Sequence, residues 1–173
     1  MIKIYAVKTE NNLKSQRKDT EKLLKHIFKD GYSIGKTTAG KPYLTDRTDV
    51  HFNISHSRNY AVCAVSDRPV GIDIEFIREI DIRVIKRFLK NCTPENAVSE
   101  WTKRESFGKM TGIGIGDDRY DEIPHIFREY RDIENYIITV CADNSETGGS
   151  IVTTADFPEK IILYDKYENG AER

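Results

Sequence analysis

Between Asn59 and Glu75 the chain reads NYAVCAVSDRPVGIDIE, and no other stretch limits the fold as strongly. Two apolar, β-branched runs are parted by turn residues near Asp67 and Arg68, which predicts two strands. In the second, Val70, Ile72 and Ile74 point to one side, and Gly71, Asp73 and Glu75 to the other. Two carboxylates side by side repel each other. They suit a solvent face, or a hard-cation site completed by a third ligand from elsewhere.

The first of these runs has an echo. Asn59-Tyr60 leads to Val62-Cys63-Ala64, and Asn135-Tyr136 leads to Val140-Cys141-Ala142, 76 residues later in a chain of 173. Shared strand composition explains this as readily as a duplicated half-domain. Further strands are expected at MIKIYAV, VHFNISHS, HIFREY (in a hairpin with NYIITVCA) and KIILYD. Helical spacing places Leu23, Leu24, Ile27 and Phe28 on one stripe, with Gly31 as a stop. DIRVIKRFLK reads as a short helix. Thr93-Pro94 is a cap followed by proline in the first turn, opening a helix that runs to about Thr111 and ends at Gly112.

Hydrophobic residues make up 38% and charged residues 32%, a globular balance, and the net charge is −1. That balance gives no bulk attraction for nucleic acid or membrane. Residues 1–50 carry 11 Lys and Arg against 6 Asp and Glu, which fits either a local anion site or a solvated helix face. Cys63, Cys92 and Cys141 follow no metal-ligand spacing. They point to a reducing, cytoplasmic setting without a disulfide framework. No apolar run approaches the roughly 18 residues of a membrane span, and MIKIYAVK is too short and interrupted for a signal peptide.

On the helix after Pro94, Trp101, Glu105 and Lys109 are spaced four apart and share a face. A Glu–Lys pair at that spacing is ordinarily a surface ion pair. Trp101 on the same face predicts partial burial, because so large a ring normally faces the core. FNISHS ends a strand with Ser55, His56 and Ser57, whose hydroxyls and imidazole suit phosphate oxygens, or form a simple turn. Gly40-Lys41-Pro42 is a commonplace turn.

Taken in order, GKP, FNISHS, VGIDIE and WTKRESFGK with GIGI after it span residues 40–116. The series resembles the Sfp-type 4'-phosphopantetheinyl transferases, and DFPEKIILYD is similar to that family's closing strand. The resemblance implies an α+β pseudo-dimer of two similar half-domains, residues 1–75 and 76–173. Each would be a small antiparallel sheet packed on a long helix. It implies Mg²⁺-dependent transfer of 4'-phosphopantetheine from coenzyme A to a serine of an acyl or peptidyl carrier protein. The other product would be adenosine 3',5'-bisphosphate. It also implies a monomer with no nucleic-acid or membrane partner. By motif, Asp73, Glu75 and Glu105 become metal ligands. Lys41, Pro42, Ser55, His56 and Lys109 would contact the coenzyme, and Glu105, Lys109 and His56 would serve catalysis, Glu105 as the base. Arg104 stands where the family usually has Lys. An inactive coenzyme A-binding module and a Mg²⁺-dependent phosphohydrolase are the alternatives.

Overall fold

The computed structural model describes residues 1–29, 31–89, 92–116, 118–146 and 150–166. The expected elements are present, with two short strands in addition. Strand β1 (Lys3–Lys8) leads to helix α1 (Leu13–Phe28). Strands β2 (Ile34–Lys36), β3 (Pro42–Leu44), β4 (His51–Ser57), β5 (Tyr60–Ser66) and β6 (Val70–Phe76) follow. Helices α2 (Ile82–Phe88) and α3 (Ala97–Thr111), then strands β7 (His125–Tyr130), β8 (Tyr136–Asp143) and β9 (Ile162–Tyr164), complete the order. The unexpected strands are β2 and β3, which pair antiparallel with each other on either side of Gly40.

Local chemistry sets the helix ends. The Asn12 side chain accepts a hydrogen bond from Ser15 N at 2.9 Å, capping α1. Thr93 and Pro94 open a 3-10 turn that runs into α3. Gly112, at φ 79°, takes the left-handed conformation that stops α3.

Besides the β2-β3 ribbon, two larger sheets are ordered β4-β5-β1-β9 and β6-β8-β7. All their pairings are antiparallel except β1 with β9. The short β5–β6 link suggests a hairpin, yet the chain changes sheets there. Strand β6 ladders with β8, Asp73 opposite Thr139 and Glu75 opposite Ile137. So β6, early in sequence order, belongs with strands of the chain's second half, while β9 returns to β1. The alternation in VGIDIE fits this position. Val70, Ile72 and Ile74 join Ile4, Ala6, Val62 and Ala64 from the other sheet in the main core, together with Ile138, Val140 and Ala142. The opposite face of β6 is left for α3.

Each sheet carries one long helix on its outer side. Leu23, Leu24 and Phe28 of α1 pack with Val7, Phe52, Ala61 and Cys63. On the other side, Phe107 and Met110 of α3 pack with Cys141. The Cys63 and Cys141 thiols are buried, as their sequence context suggests, and Cys92 is partly so. Among the described residues no helix is long and apolar enough to cross a membrane. Lys14, Arg17, Lys18, Lys22 and Lys36 are exposed, so this basic set has the character of a solvated face.

Gly71 sets how closely α3 approaches. A Cβ there would lie 1.9 Å from the Ser106 carbonyl oxygen and 2.5 Å from Met110 N. Backbone cannot yield as a flexible side chain does, so helix and strand would have to separate. Gly71→Ala is therefore expected to destabilise the fold by about 3 kcal/mol, the upper end of ordinary overpacking. Urea unfolding measures this, and a loss below about 1 kcal/mol would mean that α3 lies farther from β6.

Candidate active site

Three elements build the site: the carboxylate face of β6, the Glu105–Lys109 face of α3 and the inner face of β4. Helix α3 runs along β6 so that Val98 and Trp101 lie at the Glu75 end and Ser106 and Met110 at Gly71. Glu105 and Lys109 thereby come beside Asp73. The Lys109 ammonium is 2.6 Å from Asp73 Oδ1 and donates to Ser55 Oγ at 2.8 Å. Ser55 Oγ in turn donates to the same Asp73 oxygen at 2.8 Å. The Asp73 side chain is only 5% exposed, and its other oxygen, Oδ2, is buried without a hydrogen-bond partner. One place over, Ser57 Oγ donates to Glu75 Oε2 at 3.2 Å.

All three carboxyls are raised above their ordinary values. Burial is the main cause raising the Asp73 carboxyl, with Lys109 and Ser55 acting against it. Glu75 and Glu105 are raised by burial and then by the Asp73 charge, and Lys109 opposes both shifts. A carboxyl raised by folding binds protons that the unfolded chain has already lost, so stability falls as pH rises through that interval. In the metal-free protein the melting temperature is expected to fall as pH rises upward from the ordinary glutamate value of 4.5. Glu105→Gln should flatten the slope; calorimetry at several pH values checks this, and an identical slope in the variant would contradict the coupling.

Among the described residues no three His, Cys, Asp or Glu side chains converge as a closed metal-ligand group. The donor chemistry nonetheless fits a hard divalent cation. Asp73, Glu75 and Glu105 offer carboxylate oxygens only, their charges oppose one another, and Asp73 Oδ2 lacks any partner.

A cleft of about 280 Å³ borders this cluster, with Lys41, Pro42, Ile54, Lys109 and Gly114 among its lining residues. The structure thus brings Lys41, Pro42 and Lys109 together, with Ser55 bonded to Lys109. The Lys41 ammonium is turned away from solvent. It donates to the Met110 carbonyl at 2.6 Å, and burial lowers it to about 8. His56 is exposed, on the face of β4 opposite Ser55.

The face of Trp101, Glu105 and Lys109 is partly buried, as expected, but Trp101 does not reach the main core. It is half-buried at the rim, against Leu89 and Ala97, and lines a second cleft of about 150 Å³ with Glu75 and Arg78. The core face of α3 is made instead by Val98, Thr102, Ser106, Phe107 and Met110. Thr102 and Thr139 share a 2.7 Å hydrogen bond between helix and sheet. Arg104 stacks over the Tyr120 ring, 3.7 Å from its centroid, away from the acids. Asn53, which sequence reasoning passed over, accepts from Ile72 N at 3.1 Å. A polar residue inside an apolar strand was the available signal.

No family model matches the chain. Curated proteins do. A 4'-phosphopantetheinyl transferase of Bacillus subtilis is 34% identical over 65% of this chain and 63% of its own length. The 4'-phosphopantetheinyl transferase Sfp of Bacillus subtilis strain 168 is 35% identical over 72% of this chain and 64% of its own. The 4'-phosphopantetheinyl transferase ffp of Bacillus subtilis is 28% identical over 82% and 75%. The chain spans between 38% and 64% of the length of the first four such relatives.

Proposed function

We infer that this relative of the Sfp-type 4'-phosphopantetheinyl transferases transfers the 4'-phosphopantetheine arm of coenzyme A to a serine of an acyl or peptidyl carrier protein. The observation that carries the inference is the meeting of Asp73 and Glu75 with Glu105 and Lys109 beside a cleft that also holds Lys41 and Pro42. Mg²⁺ would be held by Asp73, Glu75 and Glu105, and would supply positive charge to the phosphate oxygens of the leaving group.

The chain's own residues supply the rest. In the transfer, the carrier serine oxygen forms a bond to the phosphorus that bears the pantetheine arm. The pyrophosphate P–O bond breaks, and its electron pair leaves with adenosine 3',5'-bisphosphate. Glu105 takes the serine proton. Lys109, held by Ser55 Oγ, presents an ammonium where phosphate oxygens would gain charge. Lys41 keeps the end of α3 in place through the Met110 carbonyl. His56, exposed on the outer face of β4, is available to a phosphate of the coenzyme but not to the proton transfer at Glu105.

The same reading takes residues 1–75 and 76–173 as the halves of a pseudo-dimer that exchange edge strands, β6 laddering with β8 and β9 with β1. Its support is the sequence echo, since Tyr60 opens β5 and Tyr136 opens β8, and their rings meet edge to face at 5.2 Å. The test of the function is a mass gain on an apo carrier protein incubated with coenzyme A, Mg²⁺ and this chain.

A further inference from the structure

Strands β4 and β6 are edge strands of different sheets. They lie side by side without a backbone ladder, an arrangement that leaves edge N–H groups in need of partners. Side chains of β4 at every second position supply them. Asn53 Oδ1 accepts from Ile72 N at 3.1 Å, and Ser57 Oγ accepts from Phe76 N at 3.2 Å. Between them, Ser55 Oγ donates to Asp73. Ser57 makes a second bond, donating to Glu75 Oε2 at 3.2 Å.

We propose that Asn53 and Ser57 are positioning residues that pin β6 to β4, with Ser57 aiming the Glu75 carboxylate into the acidic cluster. The proposal rests on the function inferred above. Its physical content is a competition. Asp73 repels the Glu75 carboxylate, and the Arg78 guanidinium attracts it. Glu75 and Arg78 also line the same neighbouring cleft, on the Trp101 side. Without a fixed donor, Glu75 would relieve its repulsion from Asp73 by turning toward Arg78. Ser57 opposes that turn, because its oxygen is itself anchored to the backbone of the next residue, Phe76. The hydroxyl in FNISHS that sequence reasoning offered to phosphate oxygens is thus committed to a carboxylate of the protein.

Asn53 is buried, and replacing it would confound folding with positioning, so Ser57 carries the test. Ser57→Ala removes one oxygen at the end of a strand, and Ser57→Thr keeps the hydroxyl. Mg²⁺ binding to each folded protein in the presence of coenzyme A is measured by calorimetric titration, beside thermal melting and the kinetics of transfer. Ser57→Ala is expected to weaken Mg²⁺ binding about tenfold, the scale of one hydrogen bond to a charged group. Its melting temperature should stay within a few degrees of the parent, and the KM for carrier protein should not change. Ser57→Thr should bind as the parent does. Parent-like Mg²⁺ binding by Ser57→Ala would overturn the positioning role, as would equal weakening in Ser57→Thr. A parent protein that binds no Mg²⁺ would instead overturn the metal assignment on which the proposal stands.

Discussion

Glu105→Gln is expected to lower transfer by roughly 10²–10⁴-fold, the range for removing a general base. Glutamine keeps the size and hydrogen bonding of the side chain but cannot take the serine proton, and it withdraws one charge from the cation site. The fold should not suffer. Glu105 is half-buried and raised by burial and by the Asp73 charge, so removing its charge relieves repulsion. The melting temperature should hold or rise at neutral pH while turnover collapses. Coenzyme A affinity should fall less than turnover, because Lys109 and the GKP turn still line the cleft. Steady-state kinetics and calorimetric titration of coenzyme A separate the two effects. Wild-type turnover would place the base elsewhere.

Lys109→Met is expected to damage both stability and transfer, for different reasons. Its ammonium lies 2.6 Å from a carboxylate whose side chain is 5% exposed. Breaking such a pair strands a buried charge, at a cost of about 3 kcal/mol. Protonation of Asp73 limits that cost at low pH, so the loss should grow as pH rises. A surface Glu–Lys pair, the ordinary meaning of this spacing, would change stability by less than about 1 kcal/mol. Transfer should fall by about 10²–10³-fold, the scale of one lost donor to a charge that develops in the reaction. Adding Asp73→Asn to Lys109→Met separates the roles: stability should return in urea unfolding, and transfer should not. If the single variant retains stability, the Asp73–Lys109 pair does not exist in solution.

The outline of this site was legible in the sequence because local periodicity carries it. Alternation put Asp73 and Glu75 on one face of a strand, and four-residue spacing put Glu105 and Lys109 on one face of a helix; both faces are found as expected. Thr93-Pro94 and Gly112 marked the ends of that helix. Partners were harder to read, because alternation names a face and not its neighbour. The pattern in VGIDIE would serve equally beside β5 or beside β8. Burial of Ile72 and Ile74 between the two sheets decides for β8. Trp101 misled for a related reason. Bulk predicts burial, but Thr102 and Ser106, small and able to satisfy their own hydroxyls, allow the close approach to β6 and β8 that Trp101 would block. Gly40-Lys41-Pro42 read as a commonplace turn, and the bond of Lys41 to the Met110 carbonyl joins residues 69 apart in sequence. No local signal reports a contact of that range.

The most direct measurement is the mass of an apo carrier protein after incubation with this chain, coenzyme A and Mg²⁺. The expected result is a carrier heavier by one phosphopantetheine group on its serine, with adenosine 3',5'-bisphosphate released in equal amount and no gain when Mg²⁺ is chelated. Loss of coenzyme A with no change in carrier mass would contradict transfer and indicate a hydrolase. Binding of coenzyme A without turnover, across acyl and peptidyl carriers alike, would contradict it too and leave a binding module.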